Sequence, residues 1–235
     1  MSRPYYRPNP VRGEGAQQYI GVEHQLTEPW PEESRNVRLV AHSELNGWGD
    51  AFQIAVGKGV CYVAASGVNG HNGMTVLDVS NPSKPKIMNQ LVDSPAARTH
   101  KVLRITDDIL LTNSELRPAL RKDYPDAIPG LRIFDTSDPF NPKYVRHIRT
   151  ESFGIHRPIY DRKRKLLYSS GFKEGYEGKV LMVHGVKDPA NPDLVGFAHV
   201  PGQKHGEAPT WDTNLVSGKR VWIHEGNPFG NYVTA

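Results

Sequence analysis

The chain of 235 residues holds a single cysteine, Cys61, so no intramolecular disulfide framework can staple it. No apolar run reaches membrane-spanning length. The N-terminal stretch MSRPYYRPNPVRGEG lacks the apolar centre of a secretory signal. These absences together predict a cytoplasmic protein with no membrane partner. Charge of one sign is also scarce, since 29 Lys and Arg stand against 25 Asp and Glu. The basic residues are scattered. DRKRK (161–165) is the one dense run, and without aromatic or groove context it reads as a solvated β-turn, so no nucleic-acid partner is expected. Local chemistry motifs are missing too: no His-x-x-x-His or Cys-x-x-Cys spacing for a metal, and no Gly-x-Ser-x-Gly elbow for a nucleophilic serine. GVNGHNG (67–73) is glycine-rich but does not open a helix, so it reads as a flexible loop and not as a phosphate cradle.

Glycine and proline are plentiful. The 22 Gly and 19 Pro, with 37% hydrophobic residues, suit a turn-rich β protein and not a helical bundle. Their placement is periodic. TVLDVSNPSKPKIM (75–88), LRIFDTSDPFNPKYV (131–145) and VLMVHGVKDPANPDLV (180–195) are three copies of one phrase. Pro82, Pro139 and Pro189 align, as do Pro85, Pro142 and Pro192, with spacings of 57 and 50 residues. A period near 50 residues is that of a four-stranded propeller blade. Asn81 or Asp138 before proline initiates a turn, and the prolines remove ladder donors, so a strand cannot continue through them. The phrase is therefore the link between third and fourth strands of a blade.

The remaining strands fall around it. First strands are AFQIAV (51–56), HKVLRI (100–105), HRPIYD (156–161) and EAPTWD (207–212). Second strands are GVCYVAA (59–65), DILLTN (108–113), KLLYSS (165–170) and KRVWIH (219–224). Alternation and β-branched or aromatic content support them. LRPALRKDYPDAIP (116–129) is a loop insertion that accounts for the longer spacing. NVRLVAHSEL (36–45) reads as a fourth strand with no first three before it. The expectation is thus an all-β, β-propeller fold over 36–235, incomplete in this chain, with three whole blades and a part-blade at each end. Residues 1–35 are expected to be an irregular arm. Open propeller edges are an aggregation liability. The chain is accordingly expected to be the N-terminal part of a longer protein, with self-association through the edges as the alternative.

VLDVSNPSKP and IFDTSDPFNP resemble the LVIVD-repeat family, in which an aliphatic strand ends in Asp before Val-Ser-(Asn/Asp)-Pro and a second Pro. The third copy departs from it, with His184-Gly185 at the strand end. The resemblance covers roughly residues 36–235 and implies a β-propeller. It implies no activity, since many members of the family have none assigned.

In a propeller the first strands line the central channel, and their starts share a face with the loops between second and third strands. Strand starts bring Asp50, His100, His156, His205 and Glu207 to that rim; the loops bring Asn69, His71, Glu115, Arg117, His224 and Glu225. Imidazoles and carboxylates converging from several blades suit Zn, Mn, Fe or Cu, with His100, His156 and His205 as ligands. A metal-bound water is a nucleophile. Glu207, Glu115 and His224 are then the candidate acid/base residues, and Arg117 and Arg157 the cations for an anionic group. Asp50 and Trp48 complete the substrate side, Trp48 as the tryptophan placed to face a ligand. Cys61, in a central strand, is expected to be buried and inert. The same histidines could instead be structural residues of the repeat, or form a metal-free acid/base site. The leading expectation is a metal-assisted hydrolase or related water-activating enzyme on a small molecule at the channel mouth. The alternative is a non-catalytic scaffold for a protein partner, with an apolar patch near the 116–129 insertion.

Overall fold

All three proline-marked turns are built alike. Asn81 Oδ1 accepts a hydrogen bond from the Ser83 amide at 3.1 Å, Asp138 Oδ1 from that of Phe140 at 3.1 Å, and Asp188 Oδ1 from that of Ala190 at 3.0 Å. Each is an Asx turn that replaces the next ladder bond and stops the strand. The carboxylate that ends the strand adds a second clasp in two copies, where Asp78 and Asp135 accept from the Ser80 and Ser137 amides at 2.9 and 2.7 Å. Gly185 has no side chain to do so.

The computed structural model describes residues 36–48, 51–66, 72–208 and 222–235. Contacts divide the chain into Met1–His42 and Ser43–Ala235. The expected arm over 1–35 lies outside the described residues. In the larger unit, blade 1 pairs β1 (Ala51–Gly57), β2 (Val60–Ser66), β3 (Asn72–Asp78) and β4 (Lys86–Val92) in sequence order. Blade 2 comprises β5 (Ala97–Arg98) and β6 (Val102–Arg104), both paired with β7 (Ile109–Leu116), then β8 (Gly130–Asp135) and β9 (Lys143–Arg149). Blade 3 holds β10 (Ile155–Asp161), β11 (Leu166–Phe172), β12 (Lys179–Gly185) and β13 (Asp193–Ala198). A hairpin of β14 (Asn227–Phe229) and β15 (Tyr232–Thr234) follows. The three blades stand where the sequence predicts, and DRKRK is the turn between β10 and β11, clasped by Asp161 Oδ1 to the Arg164 amide at 3.0 Å.

The third and fourth strands slip register at one repeat position in every blade, between Val76/Leu77, Ile133/Phe134 and Val183/His184. Such bulges deepen strand twist, and twist lets successive blades stack around an axis. Stacking makes the core. Leu111, Leu131 and Ile133 of blade 2 meet Ile155, Leu167, Val180 and Met182 of blade 3. Val60, Tyr62, Met74 and Val76 of blade 1 meet Val102, Leu110 and Phe134 of blade 2. Truncating any one of these to Ala costs about 2–5 kcal/mol by transfer and cavity terms.

Two expectations at the ends are corrected. Residues 36–45 form no strand. Asn36, Leu45 and Asn46 have φ of 60, 50 and 55°, which extended chain does not allow, and Leu45–Gly47 is a 3-10 turn. Leu45 and Trp48 instead pack on Cys61, Val63 and Leu77, covering the free face of blade 1. Trp48 is thus a buried core residue, and Cys61 is buried as expected. In the expected fourth unit, residues 207–208 and 222–224 form no strand, and 209–221 lie outside the described residues. Among the described residues no helix is long and apolar enough to cross a membrane.

Gly73, second in β3, and Gly130, first in β8, have φ of +124 and +137°. A Cβ there would overlap the carbonyl oxygens of Leu91 and Ile148 on the neighbouring strand. Gly130→Ala is therefore expected to lower unfolding free energy by roughly 2–4 kcal/mol through strain and loss of strand pairing, measurable as a lower urea midpoint with an unchanged slope.

Candidate active site

Glu115 is the last but one residue of β7, and its backbone is clamped on both sides. It pairs with Arg98 of β5 and bridges to Gly154, where the chain enters blade 3. The next residue, Leu116, donates its amide to the Phe153 carbonyl at 2.7 Å. Gly154 permits the approach, since a Cβ there would overlap the Ser114 carbonyl. The carboxylate therefore emerges between blades 2 and 3, fully buried.

Its two oxygens face different partners. Oε1 lies 3.0 Å from Arg98 Nη2 and 2.8 Å from Lys179 Nζ, one cation from each blade. Oε2 lies 2.6 Å from His156 Nδ1 and 3.4 Å from His100 Nε2. Burial pushes the carboxyl upward, but the His156 hydrogen bond and the Lys179 and Arg98 charges outweigh it and hold Glu115 well below the usual carboxylate range. An ionised carboxylate only accepts, so His156 Nδ1 carries the proton and its Nε2 carries the lone pair. Burial dominates both imidazoles. It pushes His100 down to about 3 against the pull of Glu115, and lowers His156 despite its hydrogen bond to Glu115. Both are neutral at neutral pH. His156 Nε2 and both ring nitrogens of His100 are buried without a hydrogen-bond partner. The rings of His100 and His156 meet edge to face at 4.5 Å; His224 lies 4.9 Å from His156, and Phe52 of blade 1 lies 4.6 Å from His100.

Local structure explains the placement. His100 and Lys101 fall in the break between β5 and β6, where the ladder is replaced by one side chain. Asn113 Oδ1 accepts from both amides at 2.9 Å, and Asn113 Nδ2 donates to the Ile155 carbonyl at 2.9 Å, beside His156. Arg157 follows His156 with φ of 38°, in a register slip of β10. A non-glycine residue there stores about 1–3 kcal/mol of strain, which accumulates at functional sites. Lys179 opens β12, and its carbonyl is held by Gln203 Nε2 at 3.0 Å and by the Ile223 amide at 3.1 Å.

The structure gathers His100, Glu115, His156 and His224 of the residues singled out in the sequence. His205 stands apart, 61% exposed, with Nε2 3.8 Å from Glu177 Oε1. Glu207 accepts from the Gly202 amide at 3.0 Å and is likewise on the surface. His205 and Gly206 form a turn, Glu207 stands outside any strand, and residues 209–212 of the strand expected to begin at Glu207 lie outside the described residues. Arg117 spends its guanidinium on the Pro95 and Ser66 carbonyls, closing the loop beside blade 1. Asp50, Asn69 and His71 lie outside the described residues. Arg98, Lys179, Asn113 and Phe52 were not singled out. The first three compensate or hold groups on another strand, which leaves no local pattern; Phe52 carried only its strand register as a signal.

Two consequences are measurable. Glu115→Gln leaves Arg98 and Lys179 facing a neutral amide in a buried place, and is expected to cost on the order of 3–5 kcal/mol. Adding Lys179→Met recovers part of that loss, a coupling that a double-mutant cycle reads directly. The pH dependence has a definite sign. Unfolded histidine takes its proton near 6.5, whereas His100 takes none until about 3. Stability is therefore complete above pH 6.5 and falls as pH drops towards 3, and His100→Asn flattens that limb in denaturation curves taken from pH 7 to 4.

Residues 48–92, which are blade 1 with Trp48 before it, match the LVIVD repeat model. No curated protein matches the chain. Among solved structures it is similar to a crystal structure of a proposed 6-phosphogluconolactonase from Bacteroides fragilis, at 13% identity and a TM-score of 0.31. That alignment covers 63% of this chain, which spans 57% of the other protein's length. The matched repeat contains the first of the three turn phrases, and the chain is a β-propeller protein that carries an LVIVD repeat.

Proposed function

We propose that the rim between blades 2 and 3 is the active site of a water-activating enzyme, a hydrolase of small anionic esters or lactones, with His156 as general base. One observation carries this reading: His156 Nδ1 lies 2.6 Å from Glu115 while its Nε2 is buried and unpartnered. That is the geometry of a base whose tautomer is fixed from behind. Nε2 takes a proton from water as the oxygen attacks the carbonyl carbon, and Glu115 stabilises the imidazolium. The imidazolium then returns the proton to the departing alkoxide, leaving carboxylic acid and alcohol. Removing water from one side of the pair strengthens each of these interactions.

The electrostatics favour an anionic substrate. Arg98, Lys179, Arg157 and Lys101 act on this region against Glu115 and Glu225, an excess of two positive charges around neutral imidazoles. Arg98 and Lys179 are committed to Glu115. Among the described residues, Arg157, whose Nε has no hydrogen-bond partner, is a cation placed to meet the substrate's carboxylate or phosphate.

A second reading rests on a different observation. Ligand atoms of His100, Glu115 and His156 all lie within 4.8 Å of one another, a set that suits a divalent transition metal with Glu115 in the place expected for His205. Two features count against it. Arg98 and Lys179 already neutralise the carboxylate, and its Oε2 is taken by the hydrogen bond from His156 Nδ1. The scaffold alternative has less support. The insertion folds onto Ala96, Ala97 and Leu116, and its Tyr124 and Ile128 are only just exposed.

Hydrolysis of a panel of carboxylate-bearing esters and lactones, with elemental analysis of each protein, separates the readings. The general-base account expects His156→Ala to lose about 10²–10⁴ in kcat, chelators to have no effect, and an acid limb below pH 6.5, because burial lowers His156 and activity needs it unprotonated. A stoichiometric metal lost in both His100→Ala and His156→Ala would establish the second reading instead. Full activity in His156→Ala would refute the first.

A further inference from the structure

A cleft of about 310 Å³ lies between blades 1 and 2, and neither Glu115 nor the histidines around it line the cleft. Blade 1 contributes Met74 and Leu91; blade 2 contributes Thr112, Arg132, Phe134 and His147. The volume is at the lower end of small-ligand sites. Its polar groups are incompletely satisfied. Arg132 is 8% exposed; its Nη1 lies 2.6 Å from Asp93 Oδ2, and its Nη2 donates to Thr99 and to the Asn113 carbonyl, but its Nε has no partner. His147 Nε2 is also buried without a partner. Burial, reinforced by Arg132 and opposed by Asp93 and the Pro129 backbone, pushes His147 down to about 4. The imidazole is neutral and Nε2 is an acceptor. The cleft thus presents the Arg132 Nε–H donor, His147 Nε2 and the unpartnered Thr112 hydroxyl on apolar walls, and Asp93 cancels the charge of Arg132.

The repeat indicates what such a groove takes. At the 57-residue spacing, Arg132, Phe134 and His147 are the equivalents of Thr75, Leu77 and Gln90. In blade 1 those residues hold the chain's own segment. Gln90 Nε2 donates to the Leu45 carbonyl at 2.9 Å and Gln90 Oε1 accepts from Asn46 Nδ2 at 3.1 Å, while the Leu45 side chain packs against Leu77. In blade 3 the equivalent of Arg132 is Met182, which fills the core shared with blade 2. The blade 2 groove has the same frame as blade 1, paired polar groups over an apolar floor, without the peptide.

We infer that this cleft binds a small neutral ligand carrying a secondary amide beside an apolar group, of the size of an acylated amino-acid amide. Its carbonyl accepts from Arg132 Nε–H, its N–H donates to His147 Nε2, and its apolar group lies on Met74, Leu91 and Phe134. This site is separate from the proposed hydrolytic one.

The probe is N-acetyl-leucine amide, titrated calorimetrically into the 235-residue protein. Saturable one-to-one binding is expected. His147→Gln, the residue blade 1 uses, should keep the affinity within about threefold, and His147→Leu should weaken it at least about tenfold, the effect of one hydrogen bond. No saturable binding to the wild-type protein would overturn the inference, as would equal affinity in His147→Leu. Binding lost in His156→Ala but kept in His147→Leu would place the probe at the rim and also overturn it. A wild-type protein that self-associates and becomes monomeric in His147→Leu would make a second copy the occupant, with the same consequence.

Discussion

A fully buried carboxylate is the constraint on which the rest of this structure turns. Taking Glu115 out of water costs several kcal/mol unless both its oxygens are met; Arg98, Lys179 and His156 meet them, and His100 stands beside them. Arg98 and His100 come from the first strand of blade 2, Lys179 and His156 from the third and first strands of blade 3. The same interaction does three things. It ties the blades together at the rim, fixes the tautomer of His156, and balances two cations, while burial keeps the two imidazoles neutral against its pull. Removing the carboxylate therefore disturbs stability and chemistry at once.

The site arises where the repeats differ. In the shared frame of turns, bulges and interblade packing, Glu115 stands at the position of Ser66 in blade 1, and Asn113 at that of Ala64. Blade 1 has a continuous first strand where blade 2 breaks between β5 and β6. The break frees the His100 and Lys101 amides, and Asn113 receives both. The cleft between blades 1 and 2 follows the same logic, since His147 replaces Gln90, which in blade 1 grips the Leu45 carbonyl, and Arg132 replaces Thr75, which accepts from Gln90.

Much of this was legible in the sequence, for a physical reason. Turn chemistry and strand alternation are local, and three registered copies of one Asx-proline turn determine the blade count and nearly all strand limits. His100 and His156 were legible because they share a blade position. Lys179 was not, because EGKV reads as an ordinary loop end and its role is set by a carboxylate 64 residues away. Asn113 was hidden likewise, since its work is to replace a ladder on a neighbouring strand. Trp48 and His205 misled in the opposite sense. Each was placed by its nearness to an expected strand start, whereas Trp48 packs with Leu45 in the core of blade 1 and His205 lies in an exposed turn.

The most direct test is a nitrogen-15 NMR measurement of the His156 ring in the intact protein between pH 5 and 8. The account predicts a neutral imidazole throughout the upper part of that range, protonated at Nδ1 and bare at Nε2, with the Nδ1 proton shifted far downfield by the Glu115 hydrogen bond. An imidazolium at pH 8, or a neutral ring protonated at Nε2, would contradict it.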